Sequence, residues 1–352
     1  MVAQLAQFLA LARKIIPRKA TLPILTHVCF DDGKVMASDL NNTLVMKTDL
    51  SESFTIAYEL LNKIMKQKPQ SLEFNKEEDR VHLHYDNRSV TFTSLDVEDF
   101  PVLQEDEFVK LDTWDQDLIK LFNSQTAYVS RDELKPVLNG VFIKSNGSID
   151  TCATDGHVLR LIKSESKRDN NYTLLLRPET LDMILQGSRG DVEVFEGKEN
   201  YRFVISKGLE LNSRKIDSAY PDYENVIPKK LDDEVTFKYE DFLNLIKASK
   251  PFTNKETHLV ELTCHDNQLS LSVIDEDVSW KGFIPLLSDD VSPCRFGFDA
   301  AYLEKLLSGV SGDTLTWSHN GPEKASIFSG DKKTNEINLL MPVKLKDEEN
   351  QS

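Results

Sequence analysis

Chemistry at a protein site needs titratable or nucleophilic side chains at fixed spacings, and this chain offers few. Its seven histidines are scattered. His82 and His84 fall on one face of a strand-like run, as a metal-binding pair would. No carboxylate or thiol completes that set, so exposed surface histidines are the expectation. Asp155-Gly156-His157 puts a carboxylate beside an imidazole, but the triplet reads as a turn closing a hairpin rather than as a catalytic pair. Asp275-Glu276-Asp277 could hold a cation, with an acidic hairpin turn as the default. Cys29, Cys152, Cys264 and Cys294 lie far apart in sequence, which excludes CxxC and zinc spacings. The first three sit in apolar, strand-like runs, as buried free thiols of a reducing compartment do. No P-loop, GxGxxG, GxSxG or HExxH occurs. The chain has 352 residues and 40% hydrophobic content, enough to bury more than one core. In a chain of that size, the missing constellations favour a binding or scaffolding role over an enzyme, with no metal and no cofactor.

Charge points the same way. The formal net charge is -16, from 58 acidic and 42 basic residues. That argues against a surface that grips nucleic acid everywhere, but not against one basic face on an acidic body. The basic residues cluster on or just after helix-like segments. They are Arg13, Lys14, Arg18 and Lys19; Lys63, Lys66 and Lys68; Lys120, Arg131 and Lys135; Arg189; Lys247, Lys250 and Lys255; and Lys305. If those helices share one side, duplex DNA there meets cations facing phosphates, without base reading and with marked salt dependence. The same helices carry Glu59, Asp117, Asp182, Glu240 and Glu304, so ordinary solvated faces remain the alternative.

The elements that position these residues repeat. Alternating apolar residues pass into Leu/Ile at three-and-four spacing in FTIAYELLNKI from Phe54, KLDTWDQDLIKLF from Lys110, YTLLLRPETLDMIL from Tyr172, VTFKYEDFLNLI from Val235 and CRFGFDAAYLEKLL from Cys294. The period is about 60 residues. A helix over roughly residues 3–16 makes a sixth copy whose leading strand is short or missing. Between helices the pattern changes to period two, with turns at Asp32-Gly33, Asn146-Gly147 and His265-Asp266-Asn267, as in antiparallel hairpins. The fold class is therefore α+β, built from six strand–helix–strands copies. Alternate copies share Ala37-Ser38-Asp39, Ala153-Thr154-Asp155 and Val273-Ile274-Asp275, so the copies pair into three domains: 1–108, 109–229 and 230–345, with a polar tail over 346–352. The apolar N-terminal stretch is too short to span a bilayer and lacks a basic leader, which reads as a cytoplasmic protein.

Local strings then match one family in order along nearly the whole chain. They are Thr21-Leu22-Pro23-Ile24-Leu25, Asp99-Phe100-Pro101, Leu138-Asn139-Gly140-Val141, Ala153-Thr154-Asp155-Gly156-His157, Tyr220-Pro221-Asp222-Tyr223 with Val226-Ile227-Pro228, and Met341-Pro342-Val343-Lys344-Leu345. Together they resemble the bacterial sliding clamps, the beta subunits of DNA polymerase III. The resemblance implies three similar DNA-clamp domains, helices lining a ring and antiparallel sheets outside. It implies a head-to-tail homodimer that encircles double-stranded DNA without reading its sequence, as a processivity factor in the cytoplasm, at the nucleoid. Its implied partners are the polymerase III alpha subunit, the clamp loader complex and other proteins bearing a clamp-binding motif.

The resemblance also implies a partner-peptide pocket between the second and third domains, made by Leu138, Thr154, Gly156, His157, Val158, Leu159, Pro221, Asn225, Val226, Leu339, Met341, Pro342 and Val343. Arg18, Lys19, Arg131 and Lys135 match DNA-contacting segments; Lys63, Lys66, Lys120, Lys247 and Lys250 join them from the helix pattern. Phe100 and Pro101 match one side of the ring-closing contact, Pro251 and Phe252 the other. The competing readings are a monomeric DNA-repair or regulatory scaffold and an enzyme with an unrecognised site. The sequence departs from the family at Val158, where Arg is common, at Glu224-Asn225, a pair often basic, and in running past Leu345. The first two make the pocket less basic, so adding acidic residues to a partner peptide should strengthen binding less than in relatives with a basic pocket. A peptide series titrated by fluorescence anisotropy measures this, and an undiminished acid preference contradicts it.

Overall fold

The structure, a computed structural model, describes residues 2–101, 106–274, 278–289, 291–332 and 335–345. The acidic triplet Asp275-Glu276-Asp277 and the tail over 346–352 lie outside the described residues. The chain opens with helix α1 (Val2–Ala12), then strands β1 (His27–Asp31), β2 (Lys34–Ser38), β3 (Asn42–Lys47) and β4 (Phe54–Ala57). Helix α2 (Tyr58–Met65) precedes β5 (Glu73–Glu77), β6 (Arg80–Tyr85) and β7 (Arg88–Thr93). Next come β8 (Val109–Trp114), α3 (Gln116–Ser124), β9 (Val141–Thr154), β10 (Val158–Leu176) and α4 (Pro178–Gly187), then β11 (Val192–Glu196), β12 (Asn200–Ser206) and β13 (Leu209–Arg214). The last third holds β14 (Asp233–Lys238), α5 (Tyr239–Ser249), β15 (Leu259–His265), β16 (Gln268–Ile274), β17 (Ser279–Pro285), β18 (Cys294–Asp299) and α6 (Ala300–Leu307). It ends with β19 (Thr314–His319), β20 (Ser326–Gly330) and β21 (Glu336–Leu340). All five strand-then-helix strings fold as read.

Local chemistry explains the boundaries. Asp299 caps α6, its Oδ1 accepting from Ala301 N (2.7 Å) and Tyr302 N (3.2 Å). Asp115 does the same for α3, accepting from Leu118 N at 2.9 Å. Pro178 opens α4, where its missing N–H costs nothing. The first helix is shorter than the expected 3–16. It ends at Ala12 and tightens, with Lys14 N donating to Leu11 O and Ile15 N to Ala12 O, because Pro17 cannot continue a helix and restricts the residue before it. The two-residue hairpins form where the sequence places them. Asp32 and Gly33 have φ of 43° and 69° between the paired Asp31 and Lys34, and Asp266 and Asn267 have φ of 48° and 58° between His265 and Gln268. Gly147, the third expected turn, has φ of 77° and lies within the long β9.

The chain divides into two compact units, residues 1–123 with 176–216 and residues 124–175 with 217–352. The stretch 109–229 is thus split between them. The strand order accounts for this. In the first unit one antiparallel sheet of eight strands runs β4-β1-β2-β3-β13-β12-β11-β8. Its middle junction pairs β3 with β13, from Leu209 opposite Met46 to Ser213 opposite Asn42. In the second unit a sheet runs β14-β19-β20-β21-β10-β9, with β21 joined to β10 from Val158 opposite Leu340 to Ile162 opposite Glu336. Two smaller sheets, β5-β6-β7 in the first unit and β17-β16-β15-β18 in the second, are the others among the described residues.

Each unit has an aromatic core. Phe30 stacks on Phe54 at 4.6 Å and Trp114 meets Phe122 edge-on at 4.8 Å in the first unit. Phe296, Phe298, Trp317 and Phe328 pack together in the second. Gly187 lets α1 and α4 approach, since a Cβ there would run into Leu11 and Ile205. In the second unit Arg160 is buried against Glu336 (3.1 Å, side chains 6% and 5% exposed), donates to Gly309 O (2.9 Å) and lies over the Tyr128 ring. Arg160→Met removes the cation facing a buried carboxylate and should cost about 3–5 kcal/mol at neutral pH. Urea unfolding measures the loss, and the double variant Arg160→Met/Glu336→Leu should recover most of it.

Candidate functional site

The thirteen residues expected to form a pocket all lie in the second unit, where β9 turns into β10 and β21 runs beside them. The turn is built by its own side chains. Asp155 Oδ1 accepts from His157 N and Val158 N, both at 3.0 Å. Thr154 Oγ1 donates to Val158 O (2.7 Å) and accepts from Gly156 N (3.1 Å). Gly156 takes φ of 96°, which a side chain would strain. Beyond β21 the chain stays docked. Met341 N donates to His157 O (2.9 Å) and Val343 N to Gly297 O on β18 (2.8 Å).

The floor is apolar. Leu159 and Leu339 are buried with Cys152, Leu161, Tyr223 and Ala325, and Phe142, Tyr220, Ile227 and Ile337 pack against them. Phe142 and Tyr220 stack at 4.7 Å. Burial pushes the Tyr220 hydroxyl well above its usual range, with the Cys152 thiol beside it adding to the rise. On the surface stand Val226 (54% exposed), Met341 (39%) and Val343 (40%), with His157 and Pro221 also exposed. Exposed apolar groups over a packed aromatic floor are what an anchored peptide needs. Val158, by contrast, is 1% exposed, so it supports the turn and does not form the rim. Leu138 and Pro342 are half-buried. Asn225 is held to Asp222 (Nδ2 to Oδ2, 2.8 Å).

Beside the turn is an open groove of roughly 530 Å³ whose lining includes Arg131, Lys135, His157, Tyr302 and Lys305. Lys305 donates to Asp155 Oδ2 (2.9 Å), and His157 sits 5.3 Å from the Tyr302 ring. Burial and the Asp155 carboxylate push the Tyr302 hydroxyl up to about 12. The sequence reading missed Tyr302 and Gly297 here; no motif marks either. Asp155 stands in the turn, in the shared repeat element and in a family-matching string, and Lys305 among the basic residues of the last helix.

The basic residues are exposed but not equally free. In the first unit Arg18 and Lys66 line one open groove of roughly 470 Å³ together with Arg13, Tyr58 and Glu59. Lys19 and Lys63 are exposed nearby in sequence. Lys120 pairs with Asp117 at 3.4 Å. In the second unit Lys247 is exposed and Lys250 pairs with Glu304. Of the expected ring-closing residues, Phe100 is 4% exposed inside a core cluster with Ile24, Cys29 and Met36, so its ring packs the first unit and is not presented at the surface. Pro101 is half-buried. Pro251 and Phe252 are exposed, and Phe252 stacks on Trp280 of β17 at 6.1 Å. Among the described residues no group of three His, Cys, Asp or Glu side chains is placed to hold a metal, and no helix is long and apolar enough to cross a membrane.

Gly297 positions the pocket's last segment, because a Cβ there would collide with the Val343 carbonyl oxygen. Gly297→Ala should weaken binding of a Leu/Phe-anchored peptide about tenfold, ~1.4 kcal/mol. Anisotropy titration checks it, and unchanged affinity contradicts the role of that segment.

No protein-family model matches the sequence. The chain is 23% identical over 379 aligned residues to the beta sliding clamp of Caulobacter vibrioides (strain NA1000 / CB15N), covering 97% of this chain and 98% of that protein. The solved structure of Caulobacter crescentus pol III beta matches with a TM-score of 0.88 at 20% identity, covering 98% of each chain. A DnaN sliding clamp (DNA polymerase III subunit beta) from Pseudomonas aeruginosa, bound to griselimycin, matches with a TM-score of 0.83 at 18% identity, again over 98% of each. Over nearly its whole length, then, the chain is similar to bacterial beta sliding clamps in sequence and has their fold.

Proposed function

We propose that the chain is a sliding clamp, a processivity factor that closes around duplex DNA as a head-to-tail homodimer and tethers the replicative polymerase through the apolar pocket. The strand order carries this reading. In both large sheets the third strand of one meander pairs with a strand from another repeat: β3 with β13, and β21 with β10. Two further meanders, β5-β6-β7 and β15-β16-β17, end on β7 and β17, and each of these is the last strand of its sheet among the described residues. A strand edge of unmatched N–H and C=O groups is a template for pairing with another chain. Pairing β7 of one copy with β17 of the next supplies the same kind of junction, and two copies close it if the rotation per chain fits. Phe252 and Trp280 stand at the β17 side of that contact.

On this reading the domains are 1–108, 109–229 and 230–345, with the six helices of each copy turned inward and the sheets outward. Arg18, Lys19, Lys63, Lys66, Lys120, Arg131, Lys135, Lys247 and Lys250 face the phosphates. Their contacts are weak and sequence-blind, and several are tempered by carboxylates, which suits a ring that must slide. Retention comes from topology, so the acidic body is no obstacle. The pocket takes short segments of the polymerase III alpha subunit, the clamp loader and other partners in the cytoplasm, by insertion of apolar anchors. The chain does no chemistry of its own. A monomeric repair scaffold would leave β7 and β17 open, and no observation favours it.

The test is retention. Protein placed on nicked circular plasmid by a clamp loader and ATP should stay bound in high salt and be lost when the plasmid is linearised. Loss from the closed circle in high salt, after competent loading, would mean ordinary electrostatic binding and would sink the proposal.

A further inference from the structure

Two cysteines that are far apart in sequence meet in the second unit. β15 and β18 run antiparallel with Cys264 directly opposite Cys294. Opposed residues point to the same face of a sheet with Cα atoms about 4.5–5.5 Å apart. That separation lies inside the range of roughly 4.4–6.8 Å that a disulfide requires. The two thiols act on one another's titration, Cys294 being drawn down and Cys264 pushed up by its opposite number. Their exposures differ. Cys264 is 2% exposed, whereas Cys294 is half-exposed, near the start of a strand on the edge of its sheet opposite β17.

A third group faces the pair. His319 on β19 is 4% exposed, and neither of its ring nitrogens has a hydrogen-bond partner; Asp233 Oδ2 lies 3.9 Å from its Nδ1. The Cys264 thiol first, then His319, against the opposing effect of burial, draws the Cys294 thiol below its usual range. Burial instead pushes Cys29 and Cys152 up to about 12, as expected of inert core thiols.

We propose that Cys264 and Cys294 form a thiol–disulfide modification site responsive to hydroperoxides, with Cys294 the attacking sulfur and Cys264 the resolving one. The Cys294 thiolate attacks one peroxide oxygen, the O–O bond breaks, and hydroxide leaves, giving a sulfenic acid at Cys294. The Cys264 sulfur then attacks the Cys294 sulfur. The S–O bond breaks, and the departing hydroxide takes the Cys264 proton as water. The pair of sulfurs loses two electrons and the peroxide gains them. A dithiol reductant reverses the bond by exchange. The cross-link ties β18 to β15 three residues before Gly297, whose carbonyl holds Val343 at 2.8 Å. This site does not depend on the proposed function.

The experiment oxidises the full chain with hydrogen peroxide, alkylates remaining thiols under denaturing conditions, and maps the digest by mass. The expected product has lost two hydrogens, joins the Cys264 peptide to the Cys294 peptide, reverts with dithiothreitol, and leaves Cys29 and Cys152 to be alkylated. Cys294→Ser should leave Cys264 alkylated after the same treatment. Overoxidation of Cys294 without the cross-link, a bond between chains in its place, or both cysteines still alkylated after peroxide would each overturn the proposal.

Discussion

The outer strand of a three-strand meander exposes a row of backbone N–H and C=O groups, and in a folded chain such groups need partners. Much of this structure follows from where those partners come from. β13 supplies them to β3, and β10 supplies them to β21, each along a register that puts buried side chains on one face. Compactness therefore follows the sheets and not the repeats, which is why the residues between 109 and 229 divide between two units. Several polar groups at these junctions find partners locally. Thr180 bonds Asn42 and Ser213 at 2.8 and 2.9 Å, and Arg160 meets Glu336. A buried polar junction is costly when incomplete and selective when complete.

The second junction also builds the candidate pocket. Once β21 is paired to β10, the chain leaving it must run past the 155–157 turn, and Met341 and Val343 are fixed by backbone bonds to His157 and Gly297. Apolar groups are thereby left exposed above a floor of Leu159, Leu339 and Tyr223. The site is a by-product of sheet pairing, which gives it rigid walls and little entropy to lose on binding.

The repeat was legible because period-two and period-3.6 patterns are local, and Leu/Ile stripes such as Leu118, Ile119 and Phe122 of α3 are buried as the spacing requires. The turn at Asp155-Gly156-His157 was legible for the same reason. What was not legible depends on contacts across the fold. Val158 looks like a rim residue in a string of motif residues, yet strand alternation buries it opposite Leu340. Phe100 sits in a motif, yet packs inward on Cys29 and Met36. Tyr302 and Gly297 carry no motif and matter only through their neighbours. The cysteines read as separate thiols, because thirty residues of chain hide the pairing of β15 with β18.

Everything proposed for the ring rests on β7 and β17 finding each other in a second copy. Sedimentation equilibrium of the full chain measures this most directly. The account predicts a species of twice the 40.1 kDa chain mass at micromolar concentration, reduced to a single chain when proline replaces the exposed Phe283, whose N–H faces away from β16, while the fold, by circular dichroism, is kept. A single-chain mass at every concentration would contradict it.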